Sequence, residues 1–356
     1  MKCSKKLHNL MCMVVACCCI PMSVASESRI ELIAKGFELP WSMEFLDETT
    51  LLVSERAGAI KVLSLKDKGQ TSLRNVWPVA FGGQGGLLDL AIHPDYPEEP
   101  WIYASYSKAH SNGTSTALAR FQLTDGAITQ HEELFVSNAI SSGGRHFGSR
   151  IAFDDQGYLF LTSGDRGERD WAQDLSNHAG TVIRLHADGR VPADNPFVDQ
   201  AGAQAEIWSY GHRNAQGIVF DQDRGILWII EHGPRGGDEI NRVERAKNYG
   251  WPVISYGKEY WGPIAVGEGT HKQGMEQPIK YYDPSIAPSS LMLHKGDLYA
   301  GALKLRHLNY VALDGVGHVV SEERLFESLN ERIRDVVEGP DNSVYFLTDQ
   351  GNLYRF

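Results

Sequence analysis

The residues best equipped for chemistry lie in short glycine-rich phrases. Gly143-Gly144-Arg145-His146-Phe147-Gly148 sets a histidine among glycines, which let a ligand approach the backbone closely. A neutral imidazole can take a proton from a substrate hydroxyl. A carboxylate such as Asp165, in Ser163-Gly164-Asp165-Arg166-Gly167, can orient that imidazole and stabilise its charged form. Arg332-Ile333-Arg334 carries two guanidinium groups two residues apart, and alternate residues of a strand share a face. With Lys304 and Arg213 they would form a cationic pocket suited to a carboxylate-bearing ligand. The competing reading pairs the two arginines with their neighbours Glu331 and Asp335 as surface ion pairs. Asp238-Glu239 and the turn Tyr249-Gly250-Trp251-Pro252 offer the hard oxygen donors that calcium prefers, although the spacing matches no EF-hand loop. Gly82-Gly83-Gln84-Gly85-Gly86 lacks the Gly-Lys-Ser/Thr ending of a phosphate loop.

A strand-turn-strand phrase recurs six times and positions these residues. The copies begin at Met43, Leu90, Ile151, Ile218, Leu291 and Val336, and each joins two apolar β-type runs through Asp, Gly, Pro or Asn. The spacing suits four-stranded blades of roughly 40–50 residues, some with insertions. The expected fold is all-β, a six-bladed β-propeller with its site on the central axis at one face. A hairpin returns to the end where it began, so residues just ahead of its first strand and just after its second meet at one face. Gln84, His146, Arg213, Asn214, Arg332 and Arg334 lie ahead of copies. Asp165, His232-Gly233-Pro234 and Lys304 follow them.

Residues 1–25 combine a basic start, an apolar stretch from Leu10 to Ile20 and Ser23-Val24-Ala25, the pattern of a cleaved secretory leader. A periplasmic or secreted domain over 26–356 is expected. The alternative is a lipid anchor on Cys17, after Val14-Val15-Ala16. All five cysteines lie within the leader, so the remaining chain would have no disulfide and no cysteine-bound metal. No later run is long enough for an integral membrane span. The formal charge is −11, and −14 without the three lysines of the leader, which argues against nucleic acid as a partner.

Together these phrases resemble the soluble glucose/sorbosone dehydrogenases that use pyrroloquinoline quinone (PQQ), and most nearly the bacterial aldose sugar dehydrogenases. The resemblance runs from about Leu39 to Phe356. It is carried by GGQGGLLDLAIHPDY, GGRHFGSRIAF, TSGDRG, AQDLSNHAGTVIRL, VPADNPF, YGHRNAQGIVF, EHGPRGGDEIN, NYGWP, GALK and RIRDVVEGPD. It implies a six-bladed propeller that oxidises an aldose at C1 to the lactone. His146 would be the general base and Asp165 its partner. Gln84, Arg213, Asn214, Lys304, Arg332 and Arg334 would contact the quinone, with Tyr260 as a further contact from a variable loop. The carbonyls of Gly233 and Pro234 would hold a calcium ion beside the cofactor, and Glu239 with the carbonyl of Tyr249 a second, structural calcium. Ser149 departs from the glycine common at its place, which would crowd the loop of the base. The absence of an obvious long insertion suggests a broad-specificity monomer, with an unspecified electron acceptor and substrate choice set by loops at 107–116 and 258–277. Two other classes stay open: a calcium-dependent sugar-lactone hydrolase, with acids and amides around an axial metal, and a noncatalytic binding propeller.

Overall fold

The computed structural model describes residues 30–74 and 77–356. The expected leader, its cleavage point and Cys17 lie outside the described residues. Each of the six phrases forms the inner hairpin of a four-stranded antiparallel sheet. Blade 1 runs Pro40–Asp47, Thr50–Glu55, Ala59–Ser64 and Gln70–Arg74. The inner hairpins of blades 2 and 3 are Leu87–Ile92 with Ile102–His110, and Ile151–Phe153 with Tyr158–Ser163. Those of blades 4 and 5 are Ala215–Asp221 with Ile226–Glu231, and Met292–His294 with Asp297–Ala302. Blade 6 runs Ile333–Glu338, Val344–Thr348 and Asn352–Arg355, then takes its outer strand from the other end of the chain. That strand, Glu31–Lys35, pairs antiparallel with Asn352–Arg355, Glu31 opposite Arg355. The ring is a six-bladed propeller. Helix among the described residues amounts to two short 3₁₀ turns, Arg169–Gln173 and Glu327–Leu329.

The second strand of each blade is apolar on both sides because it is sandwiched between neighbouring blades, as in Ile226–Glu231, buried throughout. Alternation then sends successive residues to different interfaces. Leu52 packs with Leu90 and Ile102 between blades 1 and 2, whereas Leu51 and Val53 pack with Tyr345 and Leu347 between blades 6 and 1. The core is thus a set of six apolar wedges rather than one central mass. Toward the axis the inner strands come close together. A Cβ on Gly217 of blade 4 would lie 2.5 Å from the Leu291 nitrogen, just ahead of the blade 5 inner strand. Residues 107–116, expected as a loop, are instead the far end of a long hairpin, Ile102–His110 with Gly113–Thr124.

Candidate active site

His146 and Asp165 meet across the start of blade 3. Nδ1 of His146 lies 2.6 Å from Oδ1 of Asp165. Asp165 also accepts from the Gly167 N–H at 2.7 Å and from the Trp251 indole at 2.8 Å. Burial raises the Asp165 pKa, but the bond to His146 and the charge of Arg213 outweigh it and hold the carboxyl below its usual range. An ionised carboxylate only accepts, so Nδ1 carries the imidazole proton and Nε2 keeps its lone pair. Among the described residues Nε2 has no hydrogen-bond partner. Burial is also the main reason the imidazole pKa falls below its ordinary value, against the upward pull of Asp165. The histidine is therefore neutral near pH 7, as a base must be. Its φ of 54° is held from several sides. The His146 N–H donates to Gln84 Oε1 at 2.7 Å, Arg166 donates to the carbonyls of Arg145 and Gly143, and a Cβ on Gly164 would strike the His146 carbonyl at 2.2 Å.

Beside this pair a cavity of about 300 Å³ opens on the axis. Its polar lining comprises Arg56, Gln84, Asn214, Gln216, His232, Arg332 and Arg334, with Trp41, Leu88 and Phe147 among the apolar members. No carboxylate lines it. Arg332 and Arg334 do not pair with Glu331 or Asp335, the alternative raised by their sequence neighbourhood. Both reach Asp349, Arg332 Nε at 2.6 Å and Arg334 Nε at 2.8 Å. The reason is register. Ile333 lies opposite Thr348, so Asp349 follows directly across the hairpin, and its N–H bonds the Arg332 carbonyl at 2.9 Å. Burial raises the Asp349 pKa, but Arg334 and then Arg332 hold it below the usual carboxylate range. Burial and the nearby Arg334 lower that of Arg56. Three guanidinium groups against one carboxylate leave excess positive charge for an anion.

The glucose/sorbosone dehydrogenase family matches residues 37–355. The chain belongs to this family. It is 36% identical to the aldose sugar dehydrogenase YliI of Escherichia coli, over 97% of this chain and 95% of that protein. The crystal structure of the soluble E. coli aldose sugar dehydrogenase in the apo-form superposes with a TM-score of 0.88 at 36% identity, covering 92% of this chain and 98% of that one. A PQQ-bound aldose sugar dehydrogenase from Streptomyces coelicolor gives a TM-score of 0.78 at 25% identity, covering 92% and 97%. Membership of the glucose/sorbosone dehydrogenase family makes the chain a sugar oxidoreductase.

The other residues expected of a glucose/sorbosone dehydrogenase fall around the cavity to different degrees. Arg213 is buried next to it, donating to the His232 carbonyl at 3.2 Å and to the Tyr260 hydroxyl at 3.4 Å. Tyr260 is largely exposed and donates to the Pro234 carbonyl at 3.2 Å. Lys304 is exposed in the turn after blade 5's second strand, its amine unpaired among the described residues. Gly233 and Glu239 share with Tyr249 a second, much smaller cavity of about 10 Å³. There Asn241 Nδ2 bridges Glu231 at 3.1 Å and Glu239 at 3.2 Å, while its Oδ1 is buried without a partner. Burial first, then Glu231, push the Glu239 carboxyl up to about 8. No cluster of three acidic, histidine or cysteine side chains arranged for a metal occurs among the described residues, so a cation here would lean on backbone carbonyls. The crowded acids and the orphaned amide oxygen are the environment that a divalent cation would relieve.

Sequence reasoning passed over three members of the site. Arg56 follows the second strand of blade 1 and Asp349 that of blade 6, the same phase that singled out Asp165. In the sequence Trp251 stands out only for its turn, yet its indole holds the carboxylate of the pair.

Proposed function

We propose that the chain oxidises aldose sugars at C1 to lactones, with PQQ in the axial cavity and calcium beside it. The observation that carries this reading is the cavity itself, whose wall sets three arginines and two glutamines with Asn214, without a carboxylate, and includes Phe147 and Gly148, the residues that follow the neutral His146. Arg56, Arg332 and Arg334 would bind the carboxylates of the quinone, Gln84 and Asn214 its remaining polar edge. Arg213 and Lys304 would complete the ring, and Tyr260 would cover it. A lactone hydrolase would need acids around an axial metal and has no use for this cluster. A pure binding propeller has no need of an oriented base.

Within this reading His146 Nε2 takes the proton of the C1 hydroxyl, and Asp165 stabilises the imidazolium that forms. Asp165 also fixes the tautomer, and Trp251 and Gly167 fix Asp165. When bound, the quinone supplies hydride acceptance and the calcium polarises its carbonyl. The carbonyls of Gly233 and Pro234 would hold that calcium. Glu239 and Tyr249 would hold the structural one, consistent with the strained acid pair at Glu239. Export by the leader would place the 26–356 domain in the periplasm or outside the cell as a monomer.

The test is dye reduction by purified apo-protein with glucose and other aldoses, with and without PQQ and calcium, against a chelator control. Turnover that requires both additions and is lost in His146→Gln, with PQQ still bound, is expected. Turnover without PQQ, or a fully active His146→Gln variant, overturns the proposal.

A further inference from the structure

Directly beneath the cofactor cavity lies Arg150, the last residue before the inner strand of blade 3, about 5% exposed. Its guanidinium touches every other blade. Nη1 contacts Asp89 Oδ1 of blade 2 at 2.8 Å and Asp335 Oδ1 of blade 6 at 2.9 Å. Nε donates to the Gln216 carbonyl of blade 4 at 2.8 Å. Nη2 donates to the Ser289 carbonyl ahead of blade 5, and at 3.5 Å to the Arg334 carbonyl. Its upper face lies 4.0 Å from the ring of Trp41 in blade 1. Below it a second axial cavity of about 290 Å³ opens between Glu44, Asp89 and Asp335.

Three of these partners belong to the cofactor cavity: Trp41, Gln216 and Arg334 all line it. Arg150 therefore holds the backbone from which Gln216 and Arg334 project and packs on the ring of Trp41. A planar fork with five donors can bond four strands at once, whereas an ammonium group with three donors on a flexible stem cannot. Stability alone is a weak reason for such a residue, since buried ion pairs of this kind are often replaceable by neutral groups without loss. We propose that Arg150 is a positioning residue: one guanidinium fixes the relative placement of all six inner strands, and through them the geometry of the cofactor pocket. The proposal rests on the axial cavity being the PQQ site.

Two variants test it. Arg150→Lys keeps the charge but not the fork. Arg150→Met combined with Asp89→Asn and Asp335→Asn removes the charges together and leaves no buried ion unpaired. PQQ affinity is measured by tryptophan fluorescence quenching, with thermal melting and circular dichroism as controls. Both variants are expected to fold, to bind PQQ more weakly by about tenfold or more, and to rank wild type, then Lys, then the neutral triple. Unchanged PQQ affinity in a folded variant overturns the proposal. So does failure of both variants to fold, which would make Arg150 a strut for stability. Wild-type protein that binds no PQQ would overturn the cofactor reading itself, an outcome visible before any variant is made.

Discussion

Replacing Asp165 with Asn removes one charge and almost no volume. In the protein Oδ1 accepts from His146 and Gly167, and Oδ2 accepts from Trp251. All three partners are donors, and an amide has only one oxygen. If the amide NH₂ turns toward His146, the imidazole proton must move to Nε2 and the base is lost. If it turns toward Trp251, two donors face each other and the turn carrying the indole is pushed away. Either way the nascent imidazolium loses its carboxylate partner, keeping at most a bond to a neutral amide oxygen, and losing that charged partner costs about 1.5–3 kcal/mol. At 1.36 kcal/mol per tenfold, kcat should fall by about ten- to 150-fold. The pH profile carries a second, independent signature. Asp165 raises the His146 pKa against burial, so its neutralisation lowers that pKa further. The acid limb of kcat/KM should then move to lower pH while the plateau drops. Steady-state dye reduction by the PQQ- and calcium-loaded enzyme across pH reads both. An unchanged kcat in the folded variant, or an acid limb moved to higher pH, refutes the assigned roles.

Other expectations follow from the same geometry. Arg56→Met removes one of three cations and the donor to the Gly83 and Gly85 carbonyls, so PQQ affinity should fall by about ten- to a hundredfold, read by fluorescence titration. Glu44 faces the lower cavity, where burial first, then Asp89 and Asp335, hold its carboxyl up to about 8. The folded protein binds that proton more tightly than the unfolded chain, so the stability it contributes is complete below the unfolded pKa and is lost as pH rises through about 8. Melting temperatures should accordingly show Glu44→Gln gaining on wild type as pH rises, and a constant difference would contradict the shift. Ser149 is buried with a φ of 82°, where a side chain is strained. Ser149→Gly should stabilise by about 1 kcal/mol in chemical denaturation. A loss of stability would mean that the hydroxyl's bond to the Phe147 carbonyl outweighs the strain.

The architecture was legible because a propeller repeats one local unit. Six hairpins with turn residues at matching places gave both the blade count and the face on which His146, Asp165, Asn214 and Arg334 meet. What escaped were pairings across strands. Asp335 adjoins Arg334 in sequence but projects to the opposite side, where Arg150 binds it, while Asp349 arrives from the neighbouring strand. Arg150 itself carries no sequence signal, because its partners come from five other blades. The strand completing blade 6 was equally hidden, since its partner lies at the far end of the chain. Residues 107–116 look like a polar loop, and only pairing with each other makes them a hairpin.

The pairing of Glu31–Lys35 with Asn352–Arg355 governs how the ring comes together. The Arg355 guanidinium meets Glu31 across 324 positions of sequence. Closing a loop of that length costs about 5 kcal/mol of chain entropy, and nothing local repays it before the join is made. Until then blade 6 has an open edge, as does the stranded segment Glu31–Lys35, and open edges invite pairing with other chains. In an open array of repeats, loss of an end unit costs only that unit. Here a damaged first strand would loosen the last blade and, through it, the circle of inner strands around the axis, so the residues least like an active site help decide whether one exists.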